Sequence, residues 1–252
     1  MYVTDPACPW SWAAEPSVGA VRRGFGDEVR FTYVMGGLAR EVGDGLQLAR
    51  EALEAQAASG MPVDARGFLE RPPRSSFPAC LAVKAAQEQG PRPAEAYLRR
   101  LREGFLCRRR PQDTRDALVE QARGIDGLDP ERLARDLESS ATVEAFGADL
   151  ERAREAAPAG AARRPLPTLL LDGEVVEPAD LGGRLRAAGA EPGPPPSVEE
   201  LLAGPGPVAA AEVAAACGLP LLRAQAELWR LVGELRARPE PVGGGGVLWG
   251  PA

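Results

Sequence analysis

The stretch "CPWSW", from Cys8 to Trp12, places a thiol and a hydroxyl one turn apart at the start of a predicted helix. Pro9 follows the cysteine, in the first-turn position that proline favours. The unpaired N–H groups and the dipole of a helix N-terminus stabilise negative charge at that point. We therefore expect Cys8 to have a lowered pKa and to act as a nucleophilic thiolate. Ser11 can donate its hydroxyl to the sulfur.

The serine in this motif limits the chemistry to a single thiol. A dithiol site uses its second cysteine to resolve the mixed disulfide within the protein, and Ser11 cannot do this. We expect Cys8 to attack a disulfide or a glutathione mixed disulfide, with an external thiol completing the turnover. Net oxidation would require Cys80 or Cys107 to lie close to Cys8. We interpret Cys80, Cys107 and Cys217 as small buried hydrophobes, with a resolving role for Cys80 as the alternative.

The composition excludes several other catalytic systems. The 252 residues contain no histidine, which removes Ser-His-Asp and Cys-His catalysis and the usual zinc ligand sets. No C-x-x-C pair is present, and no metal site is predicted. A net charge of -6 disfavours general binding to nucleic acid or to an anionic membrane. Because neither a long apolar run nor a signal-peptide pattern is found, we expect a cytoplasmic protein.

The elements that must position Cys8 follow from hydrophobic periodicity. Residues 1–4 are β-prone, and Ser11 to Arg23 has the pattern of a helix. The stretch "EVRFTYVMGG" (28–37) is rich in the β-branched and aromatic residues that are typical of a strand. Two parallel strands joined by a helix indicate an α/β sheet.

The middle of the chain is helical and the β pattern returns after it. Between Leu38 and Pro158, six segments have helical periodicity and no further good strand is found. Strands are then predicted over 168–171 and 174–177, joined by a tight Asp-Gly turn. The segment "DLGGRLRAAGA" predicts a closing helix.

Three motifs in this order resemble the DsbA-like thioredoxin-fold family. "CPWSW" lies at the first strand-to-helix junction, where that family carries C-P-W-C, and "LPT" (166–168) is similar to its cis-proline loop. "SSFPACLAVKAAQEQG" (75–90) and "AYLRRLREGFLC" (96–107) resemble the helical insertion of the frenolicin-type dithiol–disulfide isomerase branch. The resemblance covers roughly residues 1–190.

The resemblance implies an α/β thioredoxin fold with a large all-helical insertion. The thioredoxin-fold domain is expected to be split over 1–38 and 160–191, with the insertion over 39–159. A proline-rich linker leads to a small C-terminal module over 197–252, whose order of helices and hairpin resembles a winged helix.

The charge of the C-terminal module argues against a role in DNA reading. It carries four arginines against six glutamates, whereas a DNA reader needs cations on its recognition helix. We expect this module to serve packing or a homodimer contact instead. Trp229 and Trp249 are predicted to be core anchors of the module.

The resemblance also implies a substrate groove beside Cys8. Pro167 is predicted to be cis, with a trans proline at a strand start as the alternative, and would turn the Leu166 backbone toward the thiol. That backbone could pair with an extended peptide or with glutathione. Trp12 is predicted to be a core anchor. The implied substrate-binding residues are Pro9, Trp10, Leu166, Pro167 and Thr168.

Two residues before the groove loop and one near the thiol have open interpretations. Arg163 and Arg164 either meet a substrate carboxylate or are solvated. Asp5 either forms a turn with Pro6 or lies close enough to Cys8 to disfavour the thiolate.

The motif is also similar to those of two other groups with this fold. "CPWSW" resembles the S-P-Y-S-W motif of kappa-class glutathione transferases and 2-hydroxychromene-2-carboxylate isomerases, which carry a catalytic serine at the position of Cys8. A D-P-x-C-x-W stretch is also similar to cytosolic DsbA-like adaptors that deliver a regulator to a protease.

We therefore predict a thiol-disulfide oxidoreductase or isomerase with Cys8 and Ser11 as catalytic residues. Its partner would be a protein or peptide thiol or disulfide, and it needs no cofactor unless glutathione serves as co-substrate. The alternatives are a non-catalytic adaptor and a kappa-like glutathione transferase or isomerase. An adaptor predicts that Cys8→Ala leaves partner binding intact.

Overall fold

A four-stranded sheet lies at the centre of the N-terminal fold. The computed structural model describes residues 1–39, 44–110, 112–157 and 165–252. The strands are β1 (Tyr2–Thr4), β2 (Tyr33–Met35), β3 (Thr168–Leu171) and β4 (Glu174–Val176). Their order across the sheet is β2-β1-β3-β4. β1 is parallel to β2 and antiparallel to β3, and β3 forms a hairpin with β4, which confirms the predicted parallel pair and hairpin.

The central strand β1 is buried on both faces. Tyr2 packs in one apolar cluster and Val3 in another, because successive side chains of a strand point to opposite faces. β2 is shorter than the predicted strand over 28–37, because β1 offers only three residues for pairing.

The predicted helix from Ser11 to Arg23 is wrong in one respect, since the structure has two helices here. They are α1 (Pro9–Ala13) and α2 (Glu15–Phe25). Pro16, in the first turn of α2, has no N–H to continue the hydrogen-bond ladder of α1. The chain therefore restarts its helix at Ala14, which precedes Glu15 as the N-cap of α2.

Seven helices lie between β2 and β3 among the described residues. They are α3 (Gly45–Ser59), α4 (Arg66–Glu70), α5 (Phe77–Gln87), α6 (Pro91–Leu106), α7 (Arg115–Ala122), α8 (Pro130–Asp136) and α9 (Ser140–Glu155). The predicted helical insertion is thereby confirmed, while its exact boundaries remain a prediction. Its core is continuous with the sheet and α1, since Trp12 and Met35 pack in the same cluster as Phe68 and Leu101.

The C-terminal part has its own small core. The preceding helix, α10 (Leu181–Ala187), still belongs to the N-terminal fold, because Leu181 and Leu185 pack in the same cluster as Tyr2. The elements of the C-terminal part are α11 (Val198–Leu202), β5 (Val208–Ala209), α12 (Ala210–Cys217), α13 (Leu221–Gly233), β6 (Ala237–Val242) and β7 (Gly246–Pro251). The last three strands form a sheet in the order β5-β7-β6. A separate apolar cluster includes Leu228 and Trp249. The winged-helix interpretation of this order of elements remains a prediction.

One of the two predicted tryptophan anchors of this module is wrong. Trp249 is buried, but Trp229 is 54% exposed. The two rings meet edge to face with centroids 4.9 Å apart, so Trp229 covers Trp249 from the solvent side. Its position on the outer face of α13 explains the exposure.

The C-terminal module packs directly against the rest of the chain. Glu212 of α12 bonds to Arg99 of α6 at 2.7 Å. Gly246, at the start of β7, approaches Pro62 so closely that an added Cβ would lie 2.3 Å from the proline Cβ. None of the described helices is long and apolar enough to cross a membrane.

Candidate functional site

Cys8 lies at the N-cap of α1, directly after β1 and a short turn. Its backbone N–H donates to the Asp5 carbonyl at 3.3 Å, and its sulfur accepts the Ser11 N–H at 3.4 Å. Pro9 occupies the first turn of the helix and is buried. A side chain that accepts from the third residue after it is the ordinary capping arrangement, here with sulfur as acceptor.

The Cys8 thiol faces the loop that precedes β3. It donates to the Leu166 carbonyl at an S···O distance of 3.6 Å, and the Leu166–Pro167 peptide bond is cis. Thr168, buried at the start of β3, donates its hydroxyl to the Pro165 carbonyl at 2.7 Å. The structure thus brings the two predicted parts of the site together across 158 residues of sequence. Arg163 and Arg164 lie outside the described residues.

The expected low pKa of Cys8 is wrong. Burial raises the pKa of the thiol to about 11, and the Asp5 charge also raises it, while the Ser11 hydroxyl and the Ser11 and Trp10 amides lower it. Cys8 is only 2% exposed, and desolvation disfavours a charged thiolate. The helix at its side has five residues, so its dipole is smaller than that of the long helix predicted from the sequence.

Ser11 is fully buried beside the sulfur. Its hydroxyl lies near enough to lower the thiol pKa, yet its Oγ completes no hydrogen bond of standard geometry within the described structure. A buried hydroxyl without a partner is costly. It would gain an acceptor if the sulfur became a thiolate.

Asp5 is the polar centre beneath the site. Its carboxylate accepts from Ala7 N at 2.8 Å, Leu38 N at 2.6 Å and the Ser76 hydroxyl at 2.8 Å. The Cys80 thiol donates to the same carboxylate at 3.3 Å. These four donors lower the pKa of Asp5, but burial raises it by more, so the pKa lies above its usual value. The turn-former interpretation is therefore incomplete, since Asp5 also joins β1 to α5 and to the loop after β2.

The thiols of two other cysteines are hydrogen-bonded to groups other than Cys8, and a resolving role for Cys80 stays a prediction. All four are free, and Cys80 directs its thiol to Asp5. Cys107 is buried and donates to the Pro62 carbonyl at 3.2 Å. The prediction of buried cysteines is confirmed for Cys80 and Cys107, whereas Cys217 is partly exposed. Burial raises the pKa of Cys80 well above its usual value, so it is no readier a nucleophile than Cys8.

The two tryptophans of the motif differ in exposure. Trp12 is fully buried, as predicted, and its Nε1 donates to the Pro62 carbonyl at 3.0 Å. The Arg99 guanidinium lies over its ring at 4.4 Å from the centroid. Trp10 is 38% exposed, so it offers an apolar surface to solvent next to Cys8.

A buried ionic network supports the floor of the site. Arg102 of α6 pairs with Glu15 of α2 and donates to the Thr4 hydroxyl. Burial opposes ionisation of Glu15, but Arg102 and Arg99 outweigh it and hold its pKa below the usual value. This network holds α6 against β1, which precedes Cys8, and against α2, which follows α1.

Sequence reasoning missed Arg99, Arg102 and Glu15, because the members of this network are far apart in the sequence. The amphipathic pattern of α6 places both arginines on a helix but gives no sign that they face inward. Asp5 carried a usable signal, since an acidic residue directly after an apolar strand lies at the buried end of a sheet.

The fold and the site together define a DsbA-like thioredoxin-fold protein, with a cysteine at the first strand-to-helix junction facing a proline loop. A thioredoxin family model (Thioredoxin_5) matches residues 1–159. The chain belongs to this family.

Solved structures of similar fold include two of the cytosolic disulfide reductase DsbM from Pseudomonas aeruginosa. One is 22% identical, with a TM-score of 0.60, and the match covers 74% of this chain and 98% of that chain. The other, which contains GSH, is 24% identical with a TM-score of 0.59 and covers 73% of this chain and 98% of that chain. At these identities the likeness concerns the fold.

The chain is also similar to two proteins named ClpXP adapter protein SpxH. That of Halalkalibacterium halodurans is 32% identical over 161 residues, covering 60% of this chain and 52% of the relative. That of Bacillus subtilis is 29% identical over 156 residues, with the same two coverages of 60% and 52%. The chain therefore spans about half the length of the curated relatives it matches.

Proposed function

We propose that this chain is a protein-binding adaptor, whose Cys8 cleft holds an extended segment of a protein partner without rapid thiol–disulfide turnover. The observation that carries this proposal is the state of Cys8, which is 2% exposed with a thiol pKa raised to about 11. Such a thiol stays protonated at neutral pH, and Ser11 supplies no second sulfur. The relatives named ClpXP adapter protein support an adaptor role.

The Leu166 carbonyl is the group that a partner segment would engage. Among the described residues, it accepts a long S–H···O bond from Cys8, at 3.6 Å. A backbone N–H is a stronger donor than a thiol, so an incoming strand would displace the thiol and pair with the proline loop. Pro167 and Thr168 would hold that loop, and Pro9 would hold the start of α1.

Trp10 would provide the apolar contact of the cleft. Its indole is 38% exposed, and aromatic rings at interfaces contribute large contact areas. Leu166 is partly buried on the other side of Cys8. A partner segment with an apolar side chain beside its pairing residue would therefore fit this cleft.

In this proposal the adaptor delivers its bound partner to a protease, as the name ClpXP adapter protein implies for the relatives. The half-lives of cellular proteins therefore test the adaptor role. They are measured by pulse labelling and mass spectrometry in a strain that lacks this protein and in strains that re-express variants. We expect some proteins to persist longer in the deletion strain. Wild type and Cys8→Ala should restore their degradation, whereas Trp10→Ala should not.

Trp229→Ala is the matched control, because Trp229 is also an exposed tryptophan but lies in the C-terminal module. This variant should restore degradation. The adaptor proposal fails if no protein changes its half-life, if Cys8→Ala behaves like the deletion, or if Trp10→Ala restores degradation.

A monothiol reductase is the second candidate, favoured by the buried Ser11 hydroxyl, which forms no hydrogen bond of standard geometry among the described residues. A Cys8 thiolate would attack a disulfide, forming a mixed disulfide and releasing one substrate thiolate. A glutathione thiolate would then attack the sulfur of the retained substrate half, forming a glutathione–substrate disulfide and releasing Cys8. The Ser11 hydroxyl would stabilise the thiolate in both steps.

Reduction of bis(2-hydroxyethyl) disulfide by glutathione separates the two candidates. The adaptor proposal predicts that wild type and Cys8→Ala both leave the uncatalysed rate unchanged. If wild type accelerates the reaction and both Cys8→Ala and Ser11→Ala abolish the acceleration, the reductase replaces the adaptor.

A further inference from the structure

A cavity lined by arginines lies between the helical insertion and the C-terminal module. Its volume is about 570 Å³. It is bounded by α6, by the loop after α7 and by the "GPGP" segment that precedes β5. The charged groups in its lining are Arg92, Arg99, Arg100, Arg108, Arg110, Glu103 and Asp126. Five guanidinium groups thus converge against two carboxylates, in a chain whose net charge is -6.

Two of these arginines are fully engaged by the protein. Arg99 bonds to Glu212 at 2.7 Å and to Glu103 at 2.9 Å. Arg108 bonds to Glu240 at 2.9 Å and to Glu103 at 3.4 Å. Their charges are therefore balanced by carboxylates that belong to α6 and to the C-terminal module.

The other three arginines have no carboxylate within ion-pair distance among the described residues. Arg92 and Arg100 lie on the same helix, and Arg110 follows that helix, with only a long hydrogen bond to Gln121 at 3.4 Å. Glu103 is already shared by two other arginines. Like charges around one concavity raise its positive potential, so the cavity attracts anions.

The shape of the cavity favours an extended anion over a compact one. Arg92 and Glu103 are about 16 Å apart along α6 at about 1.5 Å per residue. A second cavity, of about 560 Å³, continues past Arg92, but there Arg22 and Arg23 are accompanied by four carboxylates, Glu15, Glu95, Glu200 and Glu212. The positive lining therefore ends near Arg92. An extended peptide covers this length with about five residues.

The acidic groups at the rim favour a peptide over a nucleic acid. Asp126 lies in the lining and Glu240 pairs with Arg108, so the positive surface is confined to the three arginines that have no ion pair in the described part of the chain and is too short for a run of phosphates. Ile125 and Pro207 also line the cavity. They offer apolar contacts to the uncharged side chains that lie between the acidic residues of a peptide. A nucleic acid also needs a broad positive surface, which this chain lacks.

We propose that this arginine cavity binds an acidic segment of a protein partner, with Arg92, Arg100 and Arg110 contacting its carboxylates. The site goes beyond the proposed adaptor cleft, because Cys8, Trp10 and Leu166 are not part of its lining. Each guanidinium can form a charge-assisted, two-pronged bond to a carboxylate. The cavity would thus provide a second contact with a partner, formed jointly by the insertion and the C-terminal module.

Fluorescence anisotropy with a fluorescein-labelled hexaglutamate peptide tests this site on the full chain. We expect saturable binding at low ionic strength that weakens as salt screens the charges. The double variant R100Q/R110Q should weaken binding by about tenfold or more, since each lost charged hydrogen bond contributes substantially. Circular dichroism checks that the variant is folded.

The double variant R30Q/R135Q is the matched control, because both arginines are exposed, have no ion pair among the described residues and lie outside the cavity. It should bind hexaglutamate like wild type. The proposal is wrong if hexaglutamate does not saturate, if R100Q/R110Q binds as well as wild type, or if labelled hexathymidylate binds as tightly. Trp10→Ala should not change this affinity, so failure here is distinguishable from failure of the cleft proposal.

Discussion

At Cys8 two effects on the thiol act in opposite directions. The capping position at α1 supplies N–H donors from Ser11 and Trp10, which lower its pKa, but complete burial raises the pKa to about 11. Desolvation is the larger effect, because Cys8 is almost completely buried and little water reaches the thiol. Sequence reasoning found the residue and its donors, but burial depends on the proline loop and the insertion that cover it.

The pH dependence of alkylation tests this balance. Because a raised pKa leaves the thiol protonated, iodoacetamide should label Cys8 slowly at pH 7. Its rate should rise about tenfold for each pH unit, with a midpoint near pH 11. Peptide mass spectrometry after labelling follows Cys8 separately from the other cysteines.

The unfolded chain in urea is the control, and its cysteines should titrate near about 8.5. A midpoint below that value in the folded protein would contradict the desolvation argument and support the reductase.

At the scale of elements, α6 connects the parts of the molecule. It directs Arg102 to α2 and β1, Arg99 to α12, and Arg92 and Arg100 to the cavity. Periodicity predicted this helix and its neighbours, the Asp-Gly turn predicted the β-hairpin, and the family resemblance placed Cys8 at the strand-to-helix junction. It could not predict which polar face is buried, because that depends on partners such as Glu15 and Glu212, far apart in sequence.

The buried pair between Arg102 and Glu15 gives an element-scale prediction. Arg102→Met leaves the Glu15 carboxylate buried without its main partner, so the free energy of unfolding should fall by about 3 kcal/mol. The double change of Arg102 and Glu15 to Met should recover part of this loss, because no unpaired charge remains. Urea unfolding followed by circular dichroism measures both.

Arg123→Met is the matched control. Arg123 pairs with Glu120 on the surface of α7, where both side chains are more than half exposed, and such pairs contribute less than about 1 kcal/mol. An equal effect of the two single changes would mean that the network of α6 contributes no more than a surface pair.

At the scale of the whole molecule, the C-terminal module and the site have a common contact. Pro62 accepts hydrogen bonds from Trp12 of the motif and from Cys107, and its ring touches Gly246 of β7. The sequence predicted the elements of both parts, but not this contact, since neither "MPVD" nor "GGGGV" carries a signal for it. Position 246 requires glycine because the rigid ring of Pro62 lies opposite and leaves no room for a Cβ.

Gly246→Ala tests this contact. The added Cβ would lie 2.3 Å from Pro62 Cβ and 2.9 Å from its Cα, so the hairpin must shift. We expect a loss of about 1–3 kcal/mol in the free energy of unfolding, as for other overpacked sites. The fluorescence of Trp12 should change as well, because its hydrogen-bond acceptor moves.

Gly233→Ala is the control, because nothing lies within 4 Å of its added Cβ, and it should not destabilise the protein. If Gly246→Ala behaves in the same way, the hairpin does not press on Pro62.

The position of β1 in the sheet has a consequence for biosynthesis. Its partner Leu169 leaves the ribosome only after the whole insertion has been made, so one edge of β1 stays unpaired while the seven described helices of the insertion emerge. Pairings this distant in sequence slow folding, and unpaired strand edges invite association with other chains. β1 is therefore a segment of the nascent chain that a chaperone would protect.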